Sequence, residues 1–137
     1  MRVLTDCPDQ ITGWFAGAAW QPAASLTLPD EERLLWEALG GGPGQWVADR
    51  AEGATDFFAR SFIIAEAPGS QFDAVNKLLQ AGCRLSGPLA CLALRGRNFH
   101  GQRGRSWAAA PGNLHLVAAV RAGDLPVQHS VALTMLA

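Results

Sequence analysis

Between residues 95 and 107 the chain reads Arg95-Gly96-Arg97-Asn98-Phe99-His100-Gly101-Gln102-Arg103-Gly104-Arg105-Ser106-Trp107, and shortly after it Pro111-Gly112-Asn113-Leu114-His115-Leu116. These residue types at this spacing suit one chemistry. Glycines let backbone amides approach an anion closely. Arginine holds carboxylate or phosphate through paired donors. Trp107 offers an apolar plate to a flat ring. A ring-bearing small molecule carrying a carboxylate or phosphate would satisfy all three, and single-stranded nucleic acid would fit the same groups. Taken alone, an arginine-glycine stretch also reads as a solvated turn.

The flanking pattern shows what must position this loop. Phe62-Ile63-Ile64-Ala65-Glu66 reads as a short apolar strand broken by Pro68-Gly69. Ser70 can cap a helix over residues 71–81, with Phe72, Val75, Leu78 and Leu79 on its buried face and Gly82 as its stop. Residues 89–94 form a second strand, and the loop follows it. Residues 113–121 then alternate, Leu114, Leu116, Ala118 and Val120 against His115, Val117, Ala119 and Arg121. That alternation makes His115 a surface or sheet-edge residue. Asp124-Leu125-Pro126 starts a last helix carrying Val127, Val131, Met135 and Leu136.

The first sixty residues carry less pattern. Trp14, Phe15, Ala18, Ala19 and Trp20 make an apolar cluster, either a helical turn or a strand. Thr27-Leu28-Pro29-Asp30-Glu31 reads as a capped helix start, with Leu34, Leu35, Ala38 and Leu39 as the buried face. The run Gly40-Gly41-Gly42-Pro43-Gly44 ends it and lacks the Lys-Ser/Thr ending of a phosphate-binding P-loop, so it reads as a flexible connector.

Composition excludes several classes. At 137 residues the chain has the size of one domain, and a net charge of −1 gives it no global attraction to nucleic acid or an anionic membrane. Lys77 is the only lysine, so the basic residues are otherwise arginines. Cys7, Cys83 and Cys91 are odd in number and lack metal-ligand spacing, which argues against a disulfide framework or a structural metal. Cys83 and Cys91 read as small core residues. No opening apolar run is long enough for a signal peptide or a span, and a reducing cytoplasm is the expected compartment.

The loop resembles that of the biotin/lipoate protein ligase family, in which Gly-Arg-Gly-Arg-Arg-Gly-Arg-x-Trp is followed by Pro-Gly-Gly/Ala-Asn-Leu. Anchored on Trp107, the glycines at 101 and 104, the arginines at 103 and 105, and Gly112-Asn113-Leu114 match. Phe99 replaces the first loop glycine, and His100 and Gln102 stand at arginine positions. Of the family's Asp-Ser-Thr-Asn stretch, Ser70 in Gly69-Ser70-Gln71-Phe72-Asp73 matches. The resemblance spans residues 62–137. It implies that ATP with Mg²⁺ and a carboxylic acid, biotin before lipoate, form an acyl adenylate attacked by a lysine of a biotin-accepting carrier-protein domain. It implies further that Arg103, Arg105 and the loop amides hold phosphate and carboxylate. Trp107 would wall the pocket, Asn113 shape the phosphate side and Ser70 bond the head of the acid. Gln71, Arg97, His100, Gly101, Gln102, Gly104 and Gly112 complete the binding set. The family's catalytic lysine lies on a later strand, which would begin beyond Ala137, so no catalytic residue is assigned here.

The expected fold is therefore α+β, a mixed sheet with helices packed against one face, ligase-like and incomplete. Residues 1–60 form an N-terminal extension and 61–137 the N-terminal portion of the catalytic domain. The missing lysine strand implies self-association or a missing C-terminal segment. The leading function is acyl-adenylate formation for protein ligation. Its rivals are a ligase-like interaction domain without catalysis and a single-strand nucleic-acid binder, the last disfavoured by the neutral charge.

Overall fold

The computed structural model describes residues 1–42, 44–49, 58–100, 104–107, 112–113 and 115–121. In chain order these form β1 (Arg2–Thr5), α1 (Pro8–Ile11), a 3₁₀ turn (Thr12–Trp14), β2 (Gln21–Pro22), a second 3₁₀ turn (Ala23–Ser25), α2 (Asp30–Ala38), β3 (Trp46–Asp49), β4 (Arg60–Ala67), α3 (Gln71–Gln80), β5 (Leu89–Gly96) and β6 (His115–Ala119). The strands make a six-stranded open mixed sheet in the order β2-β3-β1-β4-β5-β6. β1, β4 and β5 are mutually parallel, while β3 and β6 flank them antiparallel. The class is α+β with a mixed sheet. The first sixty residues, expected as an extension, supply three strands of that sheet and α2.

Register builds the core. Val47, Leu4, Phe62, Cys91 and Val117 are successive partners across five strands. They therefore share one face of the sheet. Leu35, Trp36 and Leu39 from the α2 region and Val75 from α3 pack onto that row. The other face gathers Val3, Cys7, Ile11 and Ile63, with Phe15 and Trp20 beside them. So α2 and α3 cover one face, and the single turn of α1 sits on the other. The residue 14–20 cluster is the end of a 3₁₀ turn and the segment after it, with Phe15 and Trp20 edge to face at 6.2 Å.

Both longer helices depart from their expected details. Pro29, not Thr27, holds the N-cap position of α2, and its carbonyl accepts from Arg33 N at 3.1 Å. Ser70 holds the N-cap of α3 but its hydroxyl makes no capping bond; its carbonyl accepts from Ala74 N. The buried stripe of α2 is Glu32, Leu35, Trp36 and Leu39, at helical spacing, in place of the expected Leu34 and Ala38. Trp36 can turn inward because its indole donates to Gly42 O at 3.1 Å and lies flush against Gly41, where a side chain would overlap the ring. The glycine run is thus a packing surface, not only a connector. Each helix closes with the paired bonds of a glycine C-cap: Gly40 N to Glu37 O with Gly41 N to Trp36 O, and Gly82 N to Leu79 O with Cys83 N to Leu78 O. Gly40 (φ 86°) and Gly82 (φ 88°) adopt the left-handed backbone this requires.

The alternation in β6 holds, but its sides are reversed. Pairing of His115 with Ala93 fixes the register, and His115, Val117 and Ala119 turn towards the helices while Leu116 is exposed. Cys91 is core; Cys83 is only half-buried. The expected helix over 124–136 lies outside the described residues.

The amino end of the parallel strands is closed by charge. Arg2 and Arg60 open β1 and β4 as direct partners. Arg60 Nη1 meets Glu31 Oε1 at 2.8 Å, and the same oxygen accepts from Ser86 N at 3.1 Å. Burial alone would raise the Glu31 carboxyl, but the Ser86 amide and the Arg60 guanidinium hold it below its ordinary value. Arg2 Nε donates to Asp49 Oδ1 at 2.9 Å and reaches Glu32 at 3.5 Å.

Candidate functional site

The carboxyl ends of β1, β4 and β5 lie on one edge of the sheet because the strands are parallel. In open sheets of this kind, ligands bind in the crevice outside those ends. Here β4 passes through Pro68-Gly69-Ser70 into α3, and β5 passes into the arginine-glycine loop.

Phe99 fixes the loop. It is buried against Ala67 and Ala93, and its ring stacks on His115 at 4.7 Å with a 49° tilt. Gly96 makes room for it, since a Cβ there would overlap the Phe99 ring and sit 2.9 Å from Ala67 O. Two further bonds tie the loop to the β4–α3 turn: Arg97 N to Ala67 O at 3.0 Å and Asn98 Nδ2 to Pro68 O at 3.2 Å. Asn98 reaches its partner from a left-handed backbone (φ 57°), a conformation that asparagine tolerates better than most residues. Trp107 N then donates to Phe99 O at 2.8 Å, and Ser106 pairs antiparallel with His100. The two ends of the loop are thereby clipped together at its base.

This clip shapes a cavity of about 410 Å³ lined by Asn98, Phe99, His100, Gly104, Ser106 and Trp107. That volume is in the range of small-molecule sites. Trp107 borders the cavity and is 63% exposed, so much of its surface is accessible there. His100 Nε2 lies 2.6 Å from Asp73 Oδ2 on the first turn of α3. The carboxylate fixes the imidazole's orientation at the cavity wall, and in its protonated form the ring is a donor for an anion.

Of the residues expected from sequence, His100, Gly104 and Trp107 come together at this cavity. Arg105 is exposed on the same loop, and Ser70 is half-buried at the start of α3. Gly112 (φ 89°) and Asn113 are exposed just before β6. Two others are engaged elsewhere. Arg97 meets Glu66 Oε1 at 2.8 Å, and Arg95 holds the other oxygen at 3.1 Å. The Arg95 hydrogen bond and then the Arg97 charge pull the Glu66 carboxyl below its ordinary value. Gln71 is buried; with its amide turned to satisfy both neighbours, it donates to His115 O at 3.1 Å and accepts from Ala93 N at 2.9 Å. It staples α3 to the β5–β6 pair rather than facing a ligand. Gly101, Gln102 and Arg103 lie outside the described residues.

No protein-family model matches the chain, and no curated protein or solved structure matches it either. The site is therefore read from its own geometry. That geometry adds Asp73, Asn98, Phe99 and Ser106 to the set reasoned from sequence. A signal existed for two of them: Phe99 is an isolated aromatic in a polar loop, and Asp73 is an acid in the first turn of the helix opposite. Among the described residues, no three His, Cys, Asp or Glu side chains converge to hold a metal. Among the same residues, no helix is long and apolar enough to cross a membrane.

Proposed function

We propose that this chain binds a ring-bearing carboxylic acid and its adenylate at the loop edge, as the nucleotide- and acid-binding part of a biotin/lipoate-type protein ligase. The observation that carries the reading is the convergence of His100, Gly104 and Trp107, all positions of the ligase-like loop, on one cavity outside the parallel strand ends. In this reading Trp107 packs on a flat ring, and His100, oriented by Asp73, donates to a carboxylate or phosphate. Arg105 supplies further cationic donors. Mg²⁺ would screen the phosphates of ATP, and the acceptor would be a lysine of a carrier-protein domain. The ligase-like fold belongs to the same proposal. So does a cytoplasmic location, which suits the free thiols Cys7, Cys83 and Cys91.

A second reading, a ligase-like binding domain without catalysis, is favoured by one specific observation. Lys77, the only lysine, is exposed on α3 and lines neither this cavity nor the groove between α3 and β6.

Calorimetry on the full chain tests the proposal. A non-hydrolysable biotinyl-adenylate mimic should bind more tightly than biotin or AMP, and Arg105→Ala should weaken it by about 1.5–3 kcal/mol. Equal affinity for the mimic and for AMP would remove the acid from the reading. Incorporation of labelled biotin into a carrier domain separates the two readings, because the binding-only form predicts none.

A further inference from the structure

We propose that residues 122–137 of this chain dock as a helix, antiparallel to α3, in the groove between α3 and β6. The inference rests on the helix layer and is independent of the proposed ligand. The groove has a volume of about 630 Å³, and its apolar walls include Phe72, Val75, Leu79, Leu85, Val117 and Ala119. Two of these are bare: Phe72 is 62% and Leu79 43% exposed, at helical spacing on one side of α3. The sheet row beneath agrees. Val47, Leu4, Phe62 and Cys91 are buried below α2 and α3, whereas Val117, the last member of the row, is only half-buried. Among the described residues, α2 and α3 are the helices on this face, so the layer ends one helix short of the sheet.

Chain direction says what covers the gap. β5 runs antiparallel to β6, and the β4–α3–β5 crossover sets α3 antiparallel to β5. β6 and α3 therefore run the same way. Val120 and Arg121, where the chain leaves β6, line the groove together with Cys83 and Arg84, which follow α3. A segment starting there must run back along the groove towards Phe72 to cover it. The sequence from residue 122 suits that path. Asp124-Leu125-Pro126 has the residue types of a helix start, and Val127, Val131 and Met135 recur every four residues, the spacing of one helical stripe. A helix over 124–136 would be about 20 Å long, enough to cover the roughly 15 Å of α3. Asp124 would begin it beside Arg84, which gives the entry point matching charge.

Cys83 makes the proposal testable, because it lines the groove while Cys7 and Cys91 are buried. Val127→Cys, Val131→Cys and Met135→Cys are made singly in the full chain and oxidised gently with diamide. A disulfide needs the two Cβ atoms about 4 Å apart. The antiparallel arrangement expects an intramolecular link from position 127 to Cys83, formed at least about tenfold faster than from position 135. Moving the probe reverses the order: in Phe72→Cys/Cys83→Ser, the variant at 135 should link faster than the one at 127. Links that appear only between chains on a non-reducing gel would mean a second copy fills the groove. Equal rates or no links at either probe would mean the segment does not dock there. Each of these outcomes overturns the proposal.

Discussion

The two edges of the parallel strands carry similar residue types and use them in opposite ways. At the amino edge, Arg2 and Arg60 meet Glu31, Glu32 and Asp49, and the Arg60–Glu31 contact is largely buried. At the carboxyl edge, Arg97, His100 and Asp73 form contacts that solvent reaches. A buried pair cannot release one partner without leaving a charge in a poorly solvated place. An exposed pair can exchange its partner for a ligand at little cost. The amino edge is thus tied into the fold, and the carboxyl edge has charges to offer.

The largest effect should come from breaking the amino edge. Arg60→Ala strands Glu31 beside the Ser86 amide and should cost about 3 kcal/mol. That is the low end of the range for broken buried pairs, because Glu31 keeps some contact with water. Asp73→Asn at the other edge should cost less than about 1 kcal/mol. Urea unfolding of the two variants gives both values. Similar losses would erase the distinction between the edges.

Next in size is Gly96→Ala, which acts where the two roles meet. The added methyl collides with Phe99 and approaches Ala67 O, so the ring must leave its seat against Ala93 and His115. Overpacking of this kind costs about 1–3 kcal/mol. The Phe99–Trp107 clip should loosen with it, and binding of the adenylate mimic should fall further than stability alone explains. Stability lost with binding intact would mean the loop does not depend on Phe99.

Acid should discriminate the edges more gently. The carboxyls of Glu31 and Glu66 are both held below their ordinary value of 4.5. A depressed carboxyl contributes stability that is complete above the unfolded value and is lost as pH falls through the folded one. Stability should therefore decline below about pH 4.5. High salt should remove the exposed Glu66 share and leave the Glu31 share. In Glu31→Gln at high salt, the decline from pH 4.5 downwards should be visibly flatter than in the unaltered chain. An unchanged slope in a pH series of unfolding curves would show that Glu31 is not a linked group.

What the sequence made legible follows from how local each signal is. β4, β5, α2 and α3 announce themselves through apolar runs, helical spacing and the glycine stops Gly40 and Gly82, all read within a dozen residues. β1 and β3 are four residues each, and their partners lie far away: Leu4 pairs with Val47 and Phe62. Nothing near Val3 or Trp46 announces that pairing. The burial of Trp36 depends on Gly41 and Gly42 after the helix, and the inward turn of His115 depends on its register with Ala93. The site divides in the same way. Its arginines, glycines and Trp107 are visible as types on one loop. Glu66, which occupies Arg95 and Arg97, and Asp73, which orients His100, come from β4 and α3. Whether a charge is available to a ligand depends on those distant partners.

The smallest effect on stability should come from Glu66→Gln, and it sharpens the comparison most. Glu66 is exposed enough that its ion pairs should leave the unfolding midpoint nearly unchanged. Its removal nevertheless alters the field at the carboxyl edge. Arg95 and Arg97 lose the carboxylate that now divides between them, and their guanidinium groups become available to an incoming anion. If Arg97 belongs to the binding set, the adenylate mimic should bind more tightly in Glu66→Gln, and raising the salt concentration should reduce the gain. If Arg97 serves only to pair with Glu66, affinity stays where it was. A weaker complex would be the most damaging result. It would mean that the Glu66 carboxylate holds the arginines in the orientation the ligand needs, and the charges of the carboxyl edge would then be bound into internal pairs no less than those of the amino edge.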